Sequence, residues 1–282
     1  MPTPSRGWAF LFGARRTGRL RSETREPVTD DRYWRIQRAL ARRQIIPFLE
    51  RAGTPPRGRE LLDIGCGEGG VAAELAVAGA RAHGLDLSEE RIELGRSFAR
   101  SARIAVDLEV GDGCDPSTAS GPFDLVILRD ILEHVREPHR FLRHARRILA
   151  PGGHLLVSFP PFFSPFGLHQ QLLAGQPIRW IPWLSLLPPR LLDRIVAPGP
   201  FEQDIRELNR CRLTISRFEM ATAREAFRPL ARRGYLIRPS HAIRYGAPIV
   251  PATPILAAPF LREVLLSGVI FLLEKEEKEG ED

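Results

Sequence analysis

The chain has 282 residues, enough for one large domain or two small ones, and its 43% apolar, 8% aromatic and 27% charged residues are typical of globular proteins. This composition argues against global disorder, a collagen-like fibre and a polytopic membrane protein. Its three cysteines lack the paired spacing of a disulfide framework or a zinc site, so we expect a cytoplasmic protein without a bound metal.

The net charge of +7 is spread along the chain instead of marking one basic module. Residues 1–50 carry 11 Arg against 5 acids, whereas residues 274–282 carry 2 Lys against 6 acids. Nucleic-acid binding needs clustered basic charge and a recognisable module, so we expect no nucleic-acid partner. The long uncharged stretch 246–261 contains four prolines, which would break a membrane-spanning helix.

The first half of the chain reads as an arm, a helix and an alternating α/β unit. Residues 1–28 form a flexible basic arm, and residues 29–57 form a helical cover that begins near Asp30. Short apolar runs then alternate with amphipathic segments, as in a parallel sheet covered by helices on both faces. The predicted strands are 60–64, 82–87, 105–110, 123–128 and 154–159, and the predicted helices are 70–78, 88–102 and 138–149. This pattern predicts an α/β fold with a Rossmann-like doubly wound sheet of seven strands.

The regular alternation stops after residue 160. Residues 161–210 are rich in proline and aromatic residues, and we expect them to form a lid, although they could also cover the sheet edge as ordinary core. Within them, residues 178–196 combine Trp and Leu with Arg, a composition suited to peripheral membrane contact. Residues 211–273 complete the sheet with a helix that includes Phe218 and extends to Leu230, a strand over about 235–245 and a last strand at 268–273. Residues 274–282 form an acidic tail.

The sharpest motif is the run 61–70, where an apolar strand leads through a glycine-rich turn into a helix. Glycines let the backbone turn tightly, and the free amides at the helix start favour a negatively charged group. With Asp86, the spacing also satisfies the fingerprint of a nicotinamide dinucleotide site, so an NAD(P)-dependent oxidoreductase remains an alternative. Asp63 would repel a pyrophosphate but attract an ammonium group, which favours a different nucleotide-type ligand.

Five further features follow the turn in order and with ordinary spacing between residues 58 and 160. They are Asp86, the turn 111–113, the strand 123–127, the segment 132–135 and the turn 149–154. Together with the run 62–69 they resemble the class I S-adenosylmethionine-dependent methyltransferases, of the type 11 group that includes ubiquinone and menaquinone methyltransferases. We therefore expect residues 58–160 to be the cofactor-binding core.

The resemblance implies S-adenosyl-L-methionine as cofactor and assigns residues to it. Gly65 and Gly67 would touch its methionine part, Asp63 its ammonium group and Asp86 its ribose. Asp112 would accept a hydrogen bond from the adenine amino group. The full predicted set is Asp63, Gly65, Cys66, Gly67, Asp86, Leu87, Asp112, Gly113 and Arg129. The thiol of Cys66 is interpreted as a small buried group and not as a nucleophile.

Two histidines are candidate general bases for the implied methyl transfer. His134 follows the fourth strand, and His169 lies in the insertion; each could instead have a structural role. The implied activity is in-line transfer of a methyl group to an oxygen, carbon or nitrogen of a small lipophilic acceptor. Besides the oxidoreductase, a non-catalytic cofactor-binding or membrane-recruited partner protein remains an alternative.

Overall fold

The computed structural model describes residues 31–113, 115, 118–170, 177–195 and 202–277. The predicted basic arm 1–28, part of the insertion and residues 278–282 of the predicted acidic tail lie outside these described residues.

The described residues form one eight-stranded sheet in the order β3-β2-β1-β4-β5-β8-β6-β7. The strands are β1 (Glu60–Ile64), β2 (Arg81–Asp86), β3 (Asp107–Val110), β4 (Phe123–Arg129), β5 (Leu149–Phe159), β6 (Phe227–Ile237), β7 (Val250–Pro251) and β8 (Gly268–Lys275). Strands β1 to β5 are parallel, and β8 inserts antiparallel between β5 and β6. The chain therefore reverses its strand order beside β1, so that the carboxyl ends of β1 and β4 border a crevice of the kind that binds ligands.

Ten α-helices lie within the described part of the chain. They are α1 (Arg32–Leu40), α2 (Ile46–Arg51), α3 (Gly70–Val77), α4 (Glu89–Ser101), α5 (Pro138–Ile148), α6 (Pro189–Ile195), α7 (Glu202–Cys211), α8 (Ile215–Arg224), α9 (Pro239–Tyr245) and α10 (Pro259–Leu265). A π-helical turn, Ala41–Ile45, joins α1 to α2. Ser88 caps α4, because its hydroxyl accepts a hydrogen bond from the Arg91 amide at 3.4 Å.

Helices cover both faces of the sheet, which gives the domain two apolar cores. On one face, α1 to α4 pack against alternate residues of the central strands, such as Leu61 and Ile127. On the other face, α5 and α8 pack on the sheet, where the Phe218 ring lies 5.1 Å from Phe159 and 5.0 Å from Phe271. The predicted α/β doubly wound, Rossmann-like fold is confirmed.

The carboxyl-terminal elements differ from the sequence prediction in three places. The helix through Phe218 ends at Arg224, and Leu230 lies in β6 and not in that helix. Residues 239–245, predicted as strand, form α9, because Pro239 occupies the first turn, where a missing amide costs nothing. The sheet has eight strands instead of seven, the additional one being the two-residue β7.

The insertion has a small apolar core of its own. The buried members of this core are Phe162, Leu168, Leu184, Leu192, Ile205 and Leu208. The segment is thus a packed unit attached after β5, and its predicted role as a lid stays a prediction.

Candidate functional site

The glycine turn between β1 and α3 is held against the end of β2. Gly65, Gly67 and Gly69 all have positive φ angles, of 69°, 61° and 71°, a conformation that side-chain-bearing residues rarely adopt. The amides of Gly65 and Cys66 both donate to the Leu85 carbonyl, at 2.7 and 3.0 Å. The turn is therefore fixed at the carboxyl edge of the sheet.

Asp86 ties the same turn from the neighbouring strand. Its buried carboxylate accepts hydrogen bonds from the Gly67 amide at 2.7 Å and from the Ser88 amide at 3.0 Å. A carboxylate offers about four lone-pair positions, so two amide donors leave capacity for hydroxyl groups of a ligand. Asp86 is thus both a structural residue of the turn and a potential acceptor.

The four glycines of the turn do not serve the same purpose. A Cβ on Gly69 would lie 2.5 Å from Leu108 Cδ2, and one on Gly70 would lie 2.6 Å from the Trp34 carbonyl oxygen. These two glycines permit close packing of elements. A Cβ on Gly65 would collide with the Ile131 side chain, and one on Gly67 would lie 3.2 Å from the Arg91 guanidinium carbon. The inner face of the turn is therefore lined by two side chains from other elements.

A first cavity, of about 430 Å³, opens beside this turn. Its lining consists of Ile64, Gly65, Leu85, Asp86, Leu87, Gly111, Asp112, Gly113, Ile131, His134, Val135 and Phe141. Six of the residues that the sequence singles out therefore meet in one cavity.

Asp63 lies behind the turn and does not line this cavity. Its side chain is buried, and desolvation raises the pKa of its carboxyl to about 7, although the nearby Arg129 opposes the shift and the Asp86 charge reinforces it. Its charge state is therefore sensitive to any cation that arrives beside it.

Cys66 contributes its backbone to the turn, while its thiol points away. The thiol lies beside the Gly84 backbone within the core of one sheet face, where burial raises its pKa well above the usual range, with Asp63 and Asp86 adding to the effect. A predicted cofactor contact of Cys66 can therefore come only from its main chain. The interpretation of the thiol as a buried, non-nucleophilic group agrees with this placement.

A part-buried ion network follows β4. Asp130 accepts from Arg129 Nη1 at 3.2 Å and from Arg238 Nη1 at 2.9 Å. Burial would raise the pKa of the Asp130 carboxyl, but Arg238 and Arg129 outweigh burial and lower it to about 2. Asp130 also has a φ of 56°, a strained conformation for a non-glycine residue that often marks functional sites.

A second cavity, of about 440 Å³, is bordered by this network. Its lining consists of Leu40, Gln44, Ile45, Arg129, Asp130, Ser158, Phe159, Tyr235, Arg238, Pro239, Ser240, Gly268, Val269 and Ile270. Half of these residues are apolar, and the charged ones cluster around Asp130. Arg129, predicted to bind cofactor, lines this second cavity and not the first.

The two predicted histidines are close together and half-buried. The rings of His134 and His169 are 5.7 Å apart, and only His134 lines the first cavity. Desolvation lowers the pKa of His134 to about 4 and that of His169 to about 3. Both imidazoles are therefore neutral at neutral pH. Glu133 Oε1 lies 3.8 Å from His169 Nε2, and burial, with the Asp130 charge adding to it, raises the pKa of this carboxyl.

The structure adds site residues that the sequence analysis did not identify. From α1, Gln37 accepts from the Gly70 amide at 3.2 Å and donates to the Cys66 carbonyl at 3.4 Å. Tyr33 lies under the Arg91 guanidinium, whose central carbon is 5.3 Å from the centroid of the Tyr33 ring. Arg238 comes from the far end of the sheet. An amphipathic helix that precedes the core is the only sequence signal for the first two, and none points to Arg238.

The residues present suit a nucleoside that carries an amino-acid tail. The first cavity offers a carboxylate with spare acceptor capacity at Asp86, and a second acid, Asp63, stands behind the turn where a cation would be stabilised. Within the described residues, no helix combines the length and the apolar composition of a membrane span.

Fold and site together define an S-adenosylmethionine-dependent methyltransferase with a Rossmann-like sheet. The profile described as methyltransferase domain matches residues 33–195, and the chain belongs to that family. The chain is 31% identical over 179 residues to the ubiquinone biosynthesis O-methyltransferase of Caulobacter sp. (strain K31). The matched region covers 58% of this chain and 69% of that protein. It is 29% identical over 161 residues to the norajmaline N-methyltransferase of Rauvolfia serpentina, over 55% of this chain and 54% of that one.

Solved structures share the fold. The geranyl diphosphate C-methyltransferase from Streptomyces coelicolor A3(2) superimposes with a TM-score of 0.55 at 17% identity, over 86% of this chain and 80% of that one. The magnesium protoporphyrin IX methyltransferase from Synechocystis PCC 6803 with bound SAH gives 0.52 at 17% identity, over 90% of each chain.

Proposed function

We propose that this enzyme methylates a small lipophilic acceptor bound in the second cavity, with the nucleoside of S-adenosyl-L-methionine in the first. The observation that carries the proposal is the border between the cavities: Asp130 lines the second and its neighbour Ile131 lines the first. One short, strained segment after β4 thus faces both spaces. Methyl transfer needs donor and acceptor on either side of a shared boundary.

The roles of the cofactor residues follow from their chemistry. Asp86 accepts hydrogen bonds from the ribose, Asp112 and Gly113 border the adenine, and Leu87 supplies an apolar contact. Gly65 and Gly67 let the chain approach the methionine part, with Asp63 stabilising the ammonium group directly or through water. Arg129, which lies beside Asp63 and Asp130, is suited to the carboxylate of the same amino-acid tail.

The protein's part in the reaction is mainly alignment and exclusion of water. When bound, S-adenosylmethionine supplies a methyl group on a positively charged sulfonium. Ile131 lies against Gly65 at the border of the cavities, so we infer that its side chain lines the path between donor and acceptor. Arg238 and Arg129 hold Asp130 and thereby the left-handed backbone that presents Ile131.

His134 is the better placed of the two predicted bases. It lines the first cavity, where its lowered pKa keeps the imidazole neutral, so as a base it serves only an acceptor hydroxyl that reaches past Ile131 from the second cavity. His169 stands behind it, 3.8 Å from Glu133, and we assign it the role of positioning His134.

The lining of the second cavity supports a largely apolar acceptor. Leu40, Phe159, Val269 and Ile270 supply its walls, and polar groups are concentrated at Asp130. The named relatives are methyltransferases of ubiquinone biosynthesis and of the alkaloid norajmaline, so small organic acceptors occur in this family. A cytoplasmic location, residues 58–160 as cofactor core and residues 161–210 as lid complete the proposal.

Labelled cofactor tests the acceptor cavity. The protein is incubated with S-adenosylmethionine bearing a trideuterated methyl group and an organic-solvent extract of cells, and mass spectrometry follows the label. We expect a labelled, solvent-extractable product. The variant Ser240→Phe, which fills the half-buried rim of the second cavity, should abolish this product while leaving S-adenosylhomocysteine affinity unchanged.

The matched control is Ser97→Phe, on the exposed face of α4. It adds the same side chain away from both cavities and should leave product formation intact. If Ser240→Phe methylates as well as the wild type, the acceptor does not occupy the second cavity.

A further inference from the structure

An exposed apolar surface lies on the insertion and on α10. Seven of the 13 large apolar side chains that are exposed within the described part of the chain fall in residues 177–195 and 259–265. They are Trp180, Ile181, Trp183, Leu186, Leu191, Phe260 and Leu261. Phe260 is 75% exposed and Trp180 is 61% exposed. Such a concentration of apolar surface is unusual for a region exposed only to water.

A hydrogen bond joins the two segments although they are far apart in sequence. The indole Nε1 of Trp183 donates to the Val264 carbonyl of α10 at 2.8 Å. Phe260 lies one helical turn before Val264, on the same side of α10. The aromatic residues of the insertion and of α10 therefore form one surface, which we call the aromatic surface.

The aromatic surface is held in place and is not a loose loop. The buried Gln170 side chain donates to the carbonyls of Pro165 at 2.9 Å and Ile181 at 3.1 Å, and the Trp183 amide also donates to Pro165, at 2.8 Å. Trp183 has a φ of 57°, which is costly for a bulky residue and persists only where surrounding contacts require it. The fold therefore holds the Trp183 backbone in a conformation that the residue does not prefer.

Basic side chains accompany the apolar ones. Arg179 stacks on Trp180, 4.8 Å from the ring centroid, and Arg190 and Arg194 are exposed on α6 beside Leu191. Residues 177–195 contain three Arg against one acid, Asp193. Aromatic and aliphatic side chains beside arginines match the boundary of a membrane that carries anionic headgroups.

We propose that the aromatic surface docks the enzyme on anionic phospholipid membranes, with Trp180, Trp183 and Phe260 inserted at the headgroup level. We assign the aromatic surface to a lipid membrane because anionic headgroups complement its excess of arginine. The inference goes beyond the proposed function and stands on surface residues that line neither cavity. Docking would give a lipophilic acceptor a direct route from the bilayer.

Vesicle sedimentation of the full chain tests the proposal. The protein is mixed with vesicles of phosphatidylcholine alone or of equal parts phosphatidylcholine and phosphatidylglycerol. We expect sedimentation with the anionic vesicles that weakens as salt is raised, because salt screens the arginines. The double variant Trp180→Ser/Phe260→Ser should partition about tenfold or more weakly, since two apolar side chains lose their burial.

Two further variants separate the components of docking. Arg190→Gln/Arg194→Gln should lose the preference for anionic vesicles but keep the change in tryptophan fluorescence on residual binding. Met220→Ser, which removes a side chain that is 67% exposed on α8, is the matched control and should sediment like the wild type.

S-adenosylhomocysteine titration of each variant keeps this test separate from the proposed function. Every variant should retain wild-type affinity for it, which also shows that the variant is folded. Absence of wild-type sedimentation with either vesicle, or equal sedimentation of Trp180→Ser/Phe260→Ser, contradicts membrane docking. Concentration-dependent dimers in sedimentation velocity that disappear in the double variant would instead assign the aromatic surface to a second copy of this chain.

Discussion

At the scale of single residues, the site is built on carboxylates whose surroundings differ. Asp86 is engaged by two backbone amides, whereas Asp63 is buried beside Arg129 with a raised pKa. The identity and position of both acids follow from the sequence motif. Their environments do not, because burial and amide partners depend on how the turn closes on β2.

Asp86→Asn tests the ribose assignment with little change in shape. The amide retains one oxygen but turns an NH₂ group toward either the Gly67 or the Ser88 amide, and it offers a weaker acceptor to the ligand. We expect S-adenosylhomocysteine affinity to fall by about 1 to 3 kcal/mol, which is roughly 5- to 150-fold. Isothermal titration measures the change. The exposed Asp107→Asn is the control, and unchanged affinity in a folded Asp86→Asn protein would contradict the assignment.

The raised pKa of Asp63 predicts that ligand binding releases a proton. Burial raises the pKa of this carboxyl to about 7, so much of it is protonated at pH 6 to 7 in the free enzyme. A ligand ammonium group would stabilise the carboxylate, so S-adenosylhomocysteine binding should release a proton and tighten as pH rises from 6 toward 7. Titrations in buffers of different ionisation enthalpy measure the release. Asp63→Asn should abolish it, and a heat independent of buffer in the wild type would contradict the prediction.

At the scale of elements, the regular half of the chain was predictable and the rest was not. Glu60–Ile64 and Pro138–Ile148 match their predictions closely, because a buried parallel strand and an amphipathic helix have clear periodicities. Strand β6 was largely missed: Arg228, Arg232 and Arg233 make it polar, and Pro229 sits where its pairing with β8 shifts register. Arg238 follows that strand, so its meeting with Asp130 required the tertiary fold.

Helix α1 is expected to support the glycine turn through Gln37. Its side chain is buried and bonds both the Gly70 amide and the Cys66 carbonyl. Gln37→Ala should lower the free energy of unfolding by about 1 to 3 kcal/mol, because two buried polar groups lose partners, and should speed amide exchange at Gly70. Chemical denaturation and hydrogen exchange measure these effects. Gln44→Ala, half-buried in the following π-helical turn, is the matched control, and equal effects of the two variants would contradict the prediction.

At the scale of the whole molecule, half-buried histidines couple stability to pH. Desolvation lowers the pKa of His134 to about 4 and those of His169 and His241 to about 3. The unfolded chain binds these protons near pH 6.5, so it holds more protons than the native state between about pH 6.5 and 4. Histidine burial therefore stabilises the native state fully above pH 6.5 and less as pH falls. Asp63, with its raised pKa, acts in the opposite direction between about pH 4 and 7.

His241→Gln isolates one of these contributions, because His241 lines neither cavity. The variant removes a group whose protonation favours unfolding in acid. Its stability deficit relative to the wild type should therefore shrink by about 1 to 2 kcal/mol between pH 8 and pH 5. Urea denaturation at both pH values measures the difference. At pH 8 the histidines are neutral in both states, so the deficit there reports only the loss of packing. An identical deficit at both values would contradict the linkage.

The proposed activity of the whole molecule depends on one feature: the turn that joins β1 to α3 receives the amino-acid-bearing nucleoside of a methyl donor. Calorimetric titration of the full chain with S-adenosylhomocysteine and, separately, with NADH tests it most directly. We expect one-to-one binding of S-adenosylhomocysteine with proton release near pH 7, and no heat from NADH. Binding of NADH in the absence of any response to S-adenosylhomocysteine would contradict it.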